Sequence, residues 1–252
     1  MKGFSRRTAN GKMTSHMSSP TITVLTPTYN ERENIKLLIP KIFALGIPNL
    51  NMAVVDDASP DGTREAVQEF QPHYPVELFI KPRKEGLGKA YAFAFKKILA
   101  SSHPPDIIIQ MDADLSHDPA AIPEFLSRIQ SCDLALGSRY TEGGKIENWD
   151  SARRLVSRIG NLYARAVLGV PLSDMTSGYK CWRREVLEAL DADSFSSIGY
   201  NFQIETTYRA YRQGYRVCEI PITFTERKIG TSKFNLGIML ESFFKVLLLR
   251  LK

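Results

Sequence analysis

The sequence predicts an α/β protein built on a mostly parallel, doubly wound sheet with helices on both faces. Three observations lead there. Short apolar runs alternate with helical patterns and turn residues as far as Tyr140. The runs lack the polar–apolar alternation of a half-exposed strand, so they read as strands buried on both faces. Two of them end in acidic clusters, Val54-Val55-Asp56-Asp57 and Ile107-Ile108-Ile109-Gln110-Met111-Asp112-Ala113-Asp114. Carboxylates there stand at the carboxyl edge of the sheet, where open α/β folds bind their ligands.

The elements follow in order. Residues 22–25 form the first strand, and Thr26-Pro27-Thr28-Tyr29-Asn30 the turn after it. Asn30 with Glu33 is a capping-box pattern opening a helix toward Leu45, which Pro40 is expected to kink or divide. Residues 52–55 are the second strand, and Ser59-Pro60-Asp61-Gly62-Thr63 turns into the second helix. A third strand spans 76–80 and leads through Glu85-Gly86-Leu87-Gly88-Lys89 into a helix ending near Ala100. The fourth strand covers 107–111, the next helix 119–129, and the fifth strand 134–137, ending in Ser138-Arg139-Tyr140. Beyond Gly143 the pattern loosens into a helix over 153–168, an aromatic stretch Thr176-Ser177-Gly178-Tyr179-Lys180-Cys181-Trp182 without strand periodicity, a helix over 204–213 and a strand over 217–222.

With 252 residues, 43% hydrophobic and 24% charged, the chain is large enough for one generous core. Its net charge of +6 is uneven. Met1 to Pro20, read as a flexible basic leader, holds Lys2, Arg6, Arg7 and Lys12 and no acid; from Tyr208 onward nine Lys/Arg stand against Glu219, Glu226 and Glu241. The body between is acidic overall. Basic ends on an acidic body suit an anionic surface or phosphorylated ligands, and no zinc-finger or aromatic RNA-binding signature supports nucleic acid. Cys132, Cys181 and Cys218 are odd in number, far apart and without a CxxC, which reads as unpaired thiols in a reducing compartment. His16, His73, His103 and His117 form no metal-ligand spacing; His117 follows the second acidic cluster closely enough to lie near the site, with a helix start or a solvated position the favoured role. Met1 to Pro20 lacks the apolar h-region of a signal peptide, and no run of about 18 uncharged apolar residues is present for a membrane span.

Asp112 and Asp114 flank one small residue, so in extended chain both side chains project to one side. Two such carboxylates can hold Mg²⁺ or Mn²⁺ and leave positions for phosphate oxygens, with Ser116 close enough to add an oxygen. The cation would neutralise charge on a departing diphosphate. Asp57 can accept paired N–H groups of a nucleobase, Tyr29 can stack on the ring, and Glu31 can take a base or ribose hydroxyl. Arg139, at the same edge, and the loop residues Arg227 and Lys233 offer phosphate contacts.

Six blocks together resemble the dolichyl/polyprenyl-phosphate mannosyltransferases: Thr26-Pro27-Thr28-Tyr29-Asn30-Glu31, Val55-Asp56-Asp57-Ala58-Ser59-Pro60-Asp61-Gly62-Thr63, Met111-Asp112-Ala113-Asp114-Leu115-Ser116-His117, Gly137-Ser138-Arg139-Tyr140, Thr176-Ser177-Gly178-Tyr179 and Gly230-Thr231-Ser232-Lys233. The resemblance runs from Thr21 to Phe244. It implies the A-type glycosyltransferase fold, Rossmann-like with a mostly parallel sheet, and a catalytic domain over 21–235. It implies a nucleotide-sugar donor, usually GDP-mannose, a lipid phosphate acceptor, and an inverting transfer giving a β-linked lipid-phosphate mannose. It places Pro27, Tyr29, Glu31, Val55 and Asp57 around the nucleoside, and Asp112, Ala113 and Asp114 at metal and diphosphate. Arg139, Arg227 and Lys233 fall on phosphates, and Ser116 stands where some relatives use a longer polar ligand.

Some relatives continue into transmembrane helices and others rely on a membrane-spanning subunit. Residues 236–252 instead read as an amphipathic helix, too short and too charged to span but suited to lying on a membrane or docking on such a subunit. The implied location is peripheral, on the cytoplasmic face of a membrane: the endoplasmic reticulum in a eukaryote, the plasma membrane in a prokaryote. The sequence leaves three rival readings. One is the same chemistry with UDP-glucose. The others are a Mg²⁺-dependent nucleotidyltransferase, for which a glycine-rich triphosphate loop is lacking, and a nucleotide-sugar sensor without turnover.

Overall fold

The computed structural model describes residues 19–195, 200–226 and 236–251. The chain runs β1 (Ile22–Thr28), α1 (Arg32–Phe43), β2 (Leu50–Asp56), α2 (Thr63–Phe70), β3 (Val76–Ile80), α3 (Leu87–Leu99) and β4 (Ile107–Gln110). A 3-10 turn, Pro119–Ala121, leads into α4 (Ile122–Arg128), then β5 (Leu134–Ser138). The rest comprises β6 (Lys145–Glu147), α5 (Ser151–Leu168), β7 (Lys180–Arg183), α6 (Arg184–Leu190), α7 (Tyr200–Arg212), β8 (Val217–Pro221), β9 (Thr223–Thr225) and α8 (Leu236–Leu251).

The main sheet has the order β3-β2-β1-β4-β7-β5-β8. β7 runs antiparallel to β4 and β5, while the other strands run parallel to one another. Successive residues of each central strand feed opposite cores, as a strand covered on both faces must. Val24, Val54, Ile109, Ala135 and Cys181 pack with α1, α2 and α4. Leu25, Ala53, Val55, Ile108, Leu134 and Trp182 pack with α3, α6 and α7. A third core joins α5, α7 and α8 through Ala164, Leu168, Ile204, Tyr208, Val246 and Leu249. The parallel strands therefore end along one edge, and Tyr29, Asp57, Asp112 and Arg139 follow β1, β2, β4 and β5 there.

Several expectations need correction. Asn30 and Glu33 make no capping box: Asn30 adopts a left-handed φ of 60°. The first N–H groups of α1 are met from the next loop instead, that of Glu31 by Thr63 Oγ1 at 3.0 Å and that of Arg32 by Asp61 Oδ2 at 3.2 Å. Pro40 lies inside α1 without dividing it. Leu38, Ile39 and Ile42 on either side of it are fully buried, and their packing outweighs the roughly 3 kcal/mol a helix-interior proline costs. The aromatic stretch contains a strand, β7, hidden from a pattern reading because its four residues begin with Lys180 and end with Arg183 instead of forming an apolar run.

The thiols are not all unpaired. Cys132 and Cys218 form a disulfide, and buried Cys181 remains free. The pairing of β5 with β8 sets Ala135 opposite Cys218 and brings together two cysteines 86 positions apart. The C-terminal helix is two-sided: Val246 and Leu249 are buried in the third core, while Phe244, Leu247, Leu248 and Leu251 stay exposed. Most of the basic leader, 1–18, lies outside the described residues, as do Arg227, Lys233 and the Gly230-Thr231-Ser232-Lys233 block.

The disulfide predicts a thiol count. Unfolded without reductant, the protein should react with one equivalent of a thiol reagent, Cys181, and with three after reduction. Three equivalents without reductant would remove the bridge.

Candidate active site

Each carboxylate at the sheet edge has a distinct setting. Asp56 is fully buried, accepts the backbone N–H of Ser59 and pairs with Arg64 Nε at 2.6 Å. Asp57 is buried against Lys81, whose Nζ lies 2.7 Å from Oδ1. Its oxygens also accept the backbone N–H groups of Glu85, at 3.1 Å, and Gly86, at 2.7 Å. Asp57 thus latches the loop between β3 and α3 onto the end of β2. In this arrangement the acceptor positions expected to read a nucleobase are engaged within the protein.

The other residues expected around the nucleoside are placed unevenly. Tyr29 is half-buried, with Lys84 Nζ 3.4 Å above its ring centroid. Glu31 accepts the Asn34 side-chain amide at 2.6 Å. Pro27 and Val55 are register partners on β1 and β2. The Val55 side chain is fully buried in the core beneath α3, so only its backbone is left to meet a ligand. Lys81, buried to 2% exposure, was missed by sequence reasoning because its position next to Asp57 depends on the pairing of β2 with β3.

Asp112 and Asp114 line one cavity of about 440 Å³ together with His117, Arg139 and Gln203. The chain turns just after them instead of continuing the strand: Leu115 has φ 60°, and Asp114 Oδ1 accepts the Ser116 N–H at 3.0 Å. Asp112 is anchored differently. Its N–H donates to His117 Nδ1 at 3.0 Å, and its Oδ1 accepts the Tyr91 hydroxyl at 3.5 Å. His117 is therefore neither solvated nor a helix start; it is buried and stacked on Tyr179 with centroids 4.9 Å apart. Burial lowers its pKa against the pull of the Asp112 and Asp114 charges. The imidazole that accepts at Nδ1 carries its proton on Nε2.

Two carboxylates lining one cavity suit Mg²⁺ or Mn²⁺, which commonly bind through one or two protein carboxylates completed by substrate phosphates and water. Ala113 contributes backbone only, its methyl being buried in the core. Ser116 is buried and is not among the residues lining this cavity. Among the described residues no three His, Cys, Asp or Glu side chains converge as a metal site.

Arg139 is set by a buried carboxylate that sequence reasoning did not find. Its Nε and Nη2 each lie 2.7 Å from Asp174 oxygens, and Nη2 also donates to Thr176 Oγ1 at 2.6 Å. Burial pushes the Asp174 pKa up, but the Arg139 charge and its hydrogen bonds outweigh this and hold the carboxyl below its ordinary value. The guanidinium also lies near the rings of Trp149 and Phe224, at 5.6 and 5.4 Å. Arg153, paired with Glu226, stacks over Trp149 at 4.1 Å.

From these charged groups the cavity extends along an apolar wall. Val156, Ile159, Gly160 and Tyr163 of α5 face Phe243 and Val246 of α8. Tyr163 stacks on Phe243 at 4.2 Å and donates its hydroxyl to the Phe243 carbonyl at 3.0 Å. Cation-suited acids, guanidinium groups and an apolar seam thus share one space.

The Asp57–Lys81 pair predicts a stability effect. Lys81→Met should cost about 3–5 kcal/mol in urea denaturation by stranding a buried carboxylate, and adding Asp57→Leu should recover part of it. Equal midpoints for wild type and Lys81→Met would show that the latch holds nothing.

The comparisons with known proteins agree with this geometry. Residues 23–191 match the model of Glycosyl transferase family 2. The undecaprenyl-phosphate mannosyltransferase of Micrococcus luteus is 40% identical over 226 residues, covering 89% of this chain and 92% of that protein. The polyprenol monophosphomannose synthase of Mycolicibacterium smegmatis is 42% identical over 226 residues, covering 88% and 84%. Among solved structures, glucosyl-3-phosphoglycerate synthase from Mycobacterium tuberculosis, in complex with Mn²⁺, UDP and glucosyl-3-phosphoglycerate, superposes with TM-score 0.67 at 20% identity, over 92% of this chain and 80% of that one. This likeness identifies the A-type glycosyltransferase fold. With a sheet whose carboxyl edge carries paired aspartates and a family match over most of its length, the chain belongs to glycosyltransferase family 2 and is a glycosyltransferase.

Proposed function

We propose that this enzyme transfers mannose from GDP-mannose to a polyprenyl or dolichyl phosphate, with inversion, giving a β-linked lipid-phosphate mannose. The observation that carries the reading is the single cavity joining Asp112 and Asp114 to the apolar seam between α5 and α8. A water-soluble acceptor has no use for such a seam, whereas an isoprenoid chain does. The names of the two bacterial relatives point to the same acceptor and sugar.

The chemistry follows from the groups present. Asp112 and Asp114 would hold a divalent cation, which when bound supplies charge neutralisation for the diphosphate. Arg139 and Arg153, beside Trp149, hold the lipid phosphate at the mouth of the seam. A phosphomonoester is already anionic at neutral pH and needs no general base. One of its oxygens attacks the anomeric carbon as the bond from that carbon to the diphosphate oxygen breaks, and the electron pair leaves with the nucleoside diphosphate.

The acceptor's membrane is reached through the same two helices. Leu155, Ile159 and Leu162 of α5 are exposed, as are Phe243, Phe244, Leu247, Leu248 and Leu251 of α8. Exposed Arg154, Arg158 and Arg165 border the α5 residues. Apolar groups flanked by cations suit a peripheral seat on an anionic bilayer. No helix of the described residues is long and apolar enough to cross a membrane.

Two experiments test this. With Mn²⁺ or Mg²⁺, polyprenyl phosphate and GDP-mannose labelled in the sugar, label should enter the organic phase. Chelation should stop it, and Asp114→Asn should slow it by about 10²–10³-fold; unaltered transfer by Asp114→Asn would refute the assignment. In flotation with phosphatidylglycerol vesicles, wild type should rise with the lipid, while the Phe244→Glu/Leu248→Glu double variant stays behind. Equal recovery would remove the membrane seat.

A further inference from the structure

The cavity contains one polar group that neither the metal nor the phosphates account for. Gln203, on α7, is 2% exposed, lines the cavity, and its Nε2 has no hydrogen-bond partner among the described residues. An unsatisfied buried amide costs about 1–3 kcal/mol unless something else comes to meet it.

Its orientation is fixed by a relay of three buried side chains. The Trp182 indole is a donor only, and its Nε1 lies 3.2 Å from Gln110 Oε1. Gln110 must therefore turn its amide nitrogen away, and that nitrogen lies 2.7 Å from Gln203 Oε1. Gln203 in turn has only its N–H groups left for the cavity. Its backbone carbonyl is held as well, accepting from buried Lys180 Nζ at 2.8 Å. Flipping the amide of Gln203 would place two acceptors or two donors face to face somewhere along this chain.

The space that Gln203 faces is kept open by Gly178. A Cβ there would lie 3.3 Å from Gln203 Nε2 and 3.5 Å from Asp112 Oδ2, with His117 Cε1 at 3.4 Å. A donor amide and an acceptor carboxylate thus border one small void. An anion there would meet the carboxylate's charge, but a hydroxyl can donate to Asp112 and accept from Gln203 at once.

We propose that Gln203 and Asp112 bind one hydroxyl of the transferred hexose over Gly178, making Gln203 a sugar-specificity residue. This rests on the glycosyl-transfer reading above and goes beyond it in assigning the sugar end of the donor to the floor formed by β7 and α7. Loss of the Gln203 amide removes discrimination at that hydroxyl and leaves nucleoside diphosphate binding intact.

The test compares GDP-mannose with its 2-, 3-, 4- and 6-deoxy analogues in transfer to polyprenyl phosphate by wild type and Gln203→Leu. One analogue should be poorer than the parent by roughly 10- to 100-fold in kcat/KM with wild type, and the two should be nearly equal with Gln203→Leu. Undiminished discrimination in the variant, or none in wild type, overturns the proposal. Calorimetry supplies a readout independent of turnover and of how well Gln203→Leu folds. Gly178→Ala, which keeps the Gln203 amide and fills the void with a Cβ 3.3 Å from its Nε2, should weaken binding of GDP-mannose or UDP-glucose but not of GDP or UDP. Equal loss for sugar nucleotide and bare diphosphate, or no loss, contradicts a sugar contact. Absence of transfer by wild type from any donor would instead count against the glycosyl-transfer reading.

Discussion

Crowding carboxylates at the end of a parallel sheet is costly unless each is answered, and this fold is organised by how they are answered. Asp56 is met by Arg64, Asp57 by Lys81 and two backbone N–H groups, and Asp174 by the fork of Arg139. A buried carboxylate that lost its cation would cost several kcal/mol, so these pairs fix the loops that frame the site. Asp112 and Asp114 instead face the cavity, where a cation and a diphosphate can complete their surroundings.

The antiparallel strand β7 turns this edge into a site for two substrates. Its insertion between β4 and β5 separates the acidic loop after β4 from the basic loop after β5. The segment entering it carries Asp174, which aims Arg139, and Gly178, which keeps space beside Asp112. The same strand holds Trp182 and Lys180, which set the amide and the backbone of Gln203. A single departure from parallel order thus positions Arg139, the space beside Asp112 and the Gln203 amide. The seam between α5 and α8 then connects that chemistry to the molecule's exposed apolar face.

How far the sequence could be read depended on the range of the interactions. β1, β2 and β4 were legible because strands covered on both faces are continuously apolar, and the acids ending them stood out for the same reason. Asp112 and Asp114 share a cavity as expected, and the chain turns at Leu115 immediately after them. The Cys132–Cys218 bridge, the Lys81 latch and the Asp174 fork all depend on strand neighbours distant in sequence, which local spacing does not encode. The apolar face of α5 was obscured by its arginines. Yet exposed Leu155, Ile159 and Leu162 recur at helical spacing and could have been matched with the C-terminal helix.

The central claim is that the lipid chain of the acceptor lies in the seam between α5 and α8 while Arg139 and Arg153 hold its phosphate in the cavity that Asp112 and Asp114 line. Photo-crosslinking with a polyprenyl phosphate bearing a diazirine on its first isoprene unit, in the presence of Mn²⁺ and GDP, tests this directly. Adducts mapped by mass spectrometry should fall on Ile159, Tyr163, Phe243 and Val246, and excess unmodified polyprenyl phosphate should suppress them. Suppressible adducts confined to other surfaces of the molecule would contradict it.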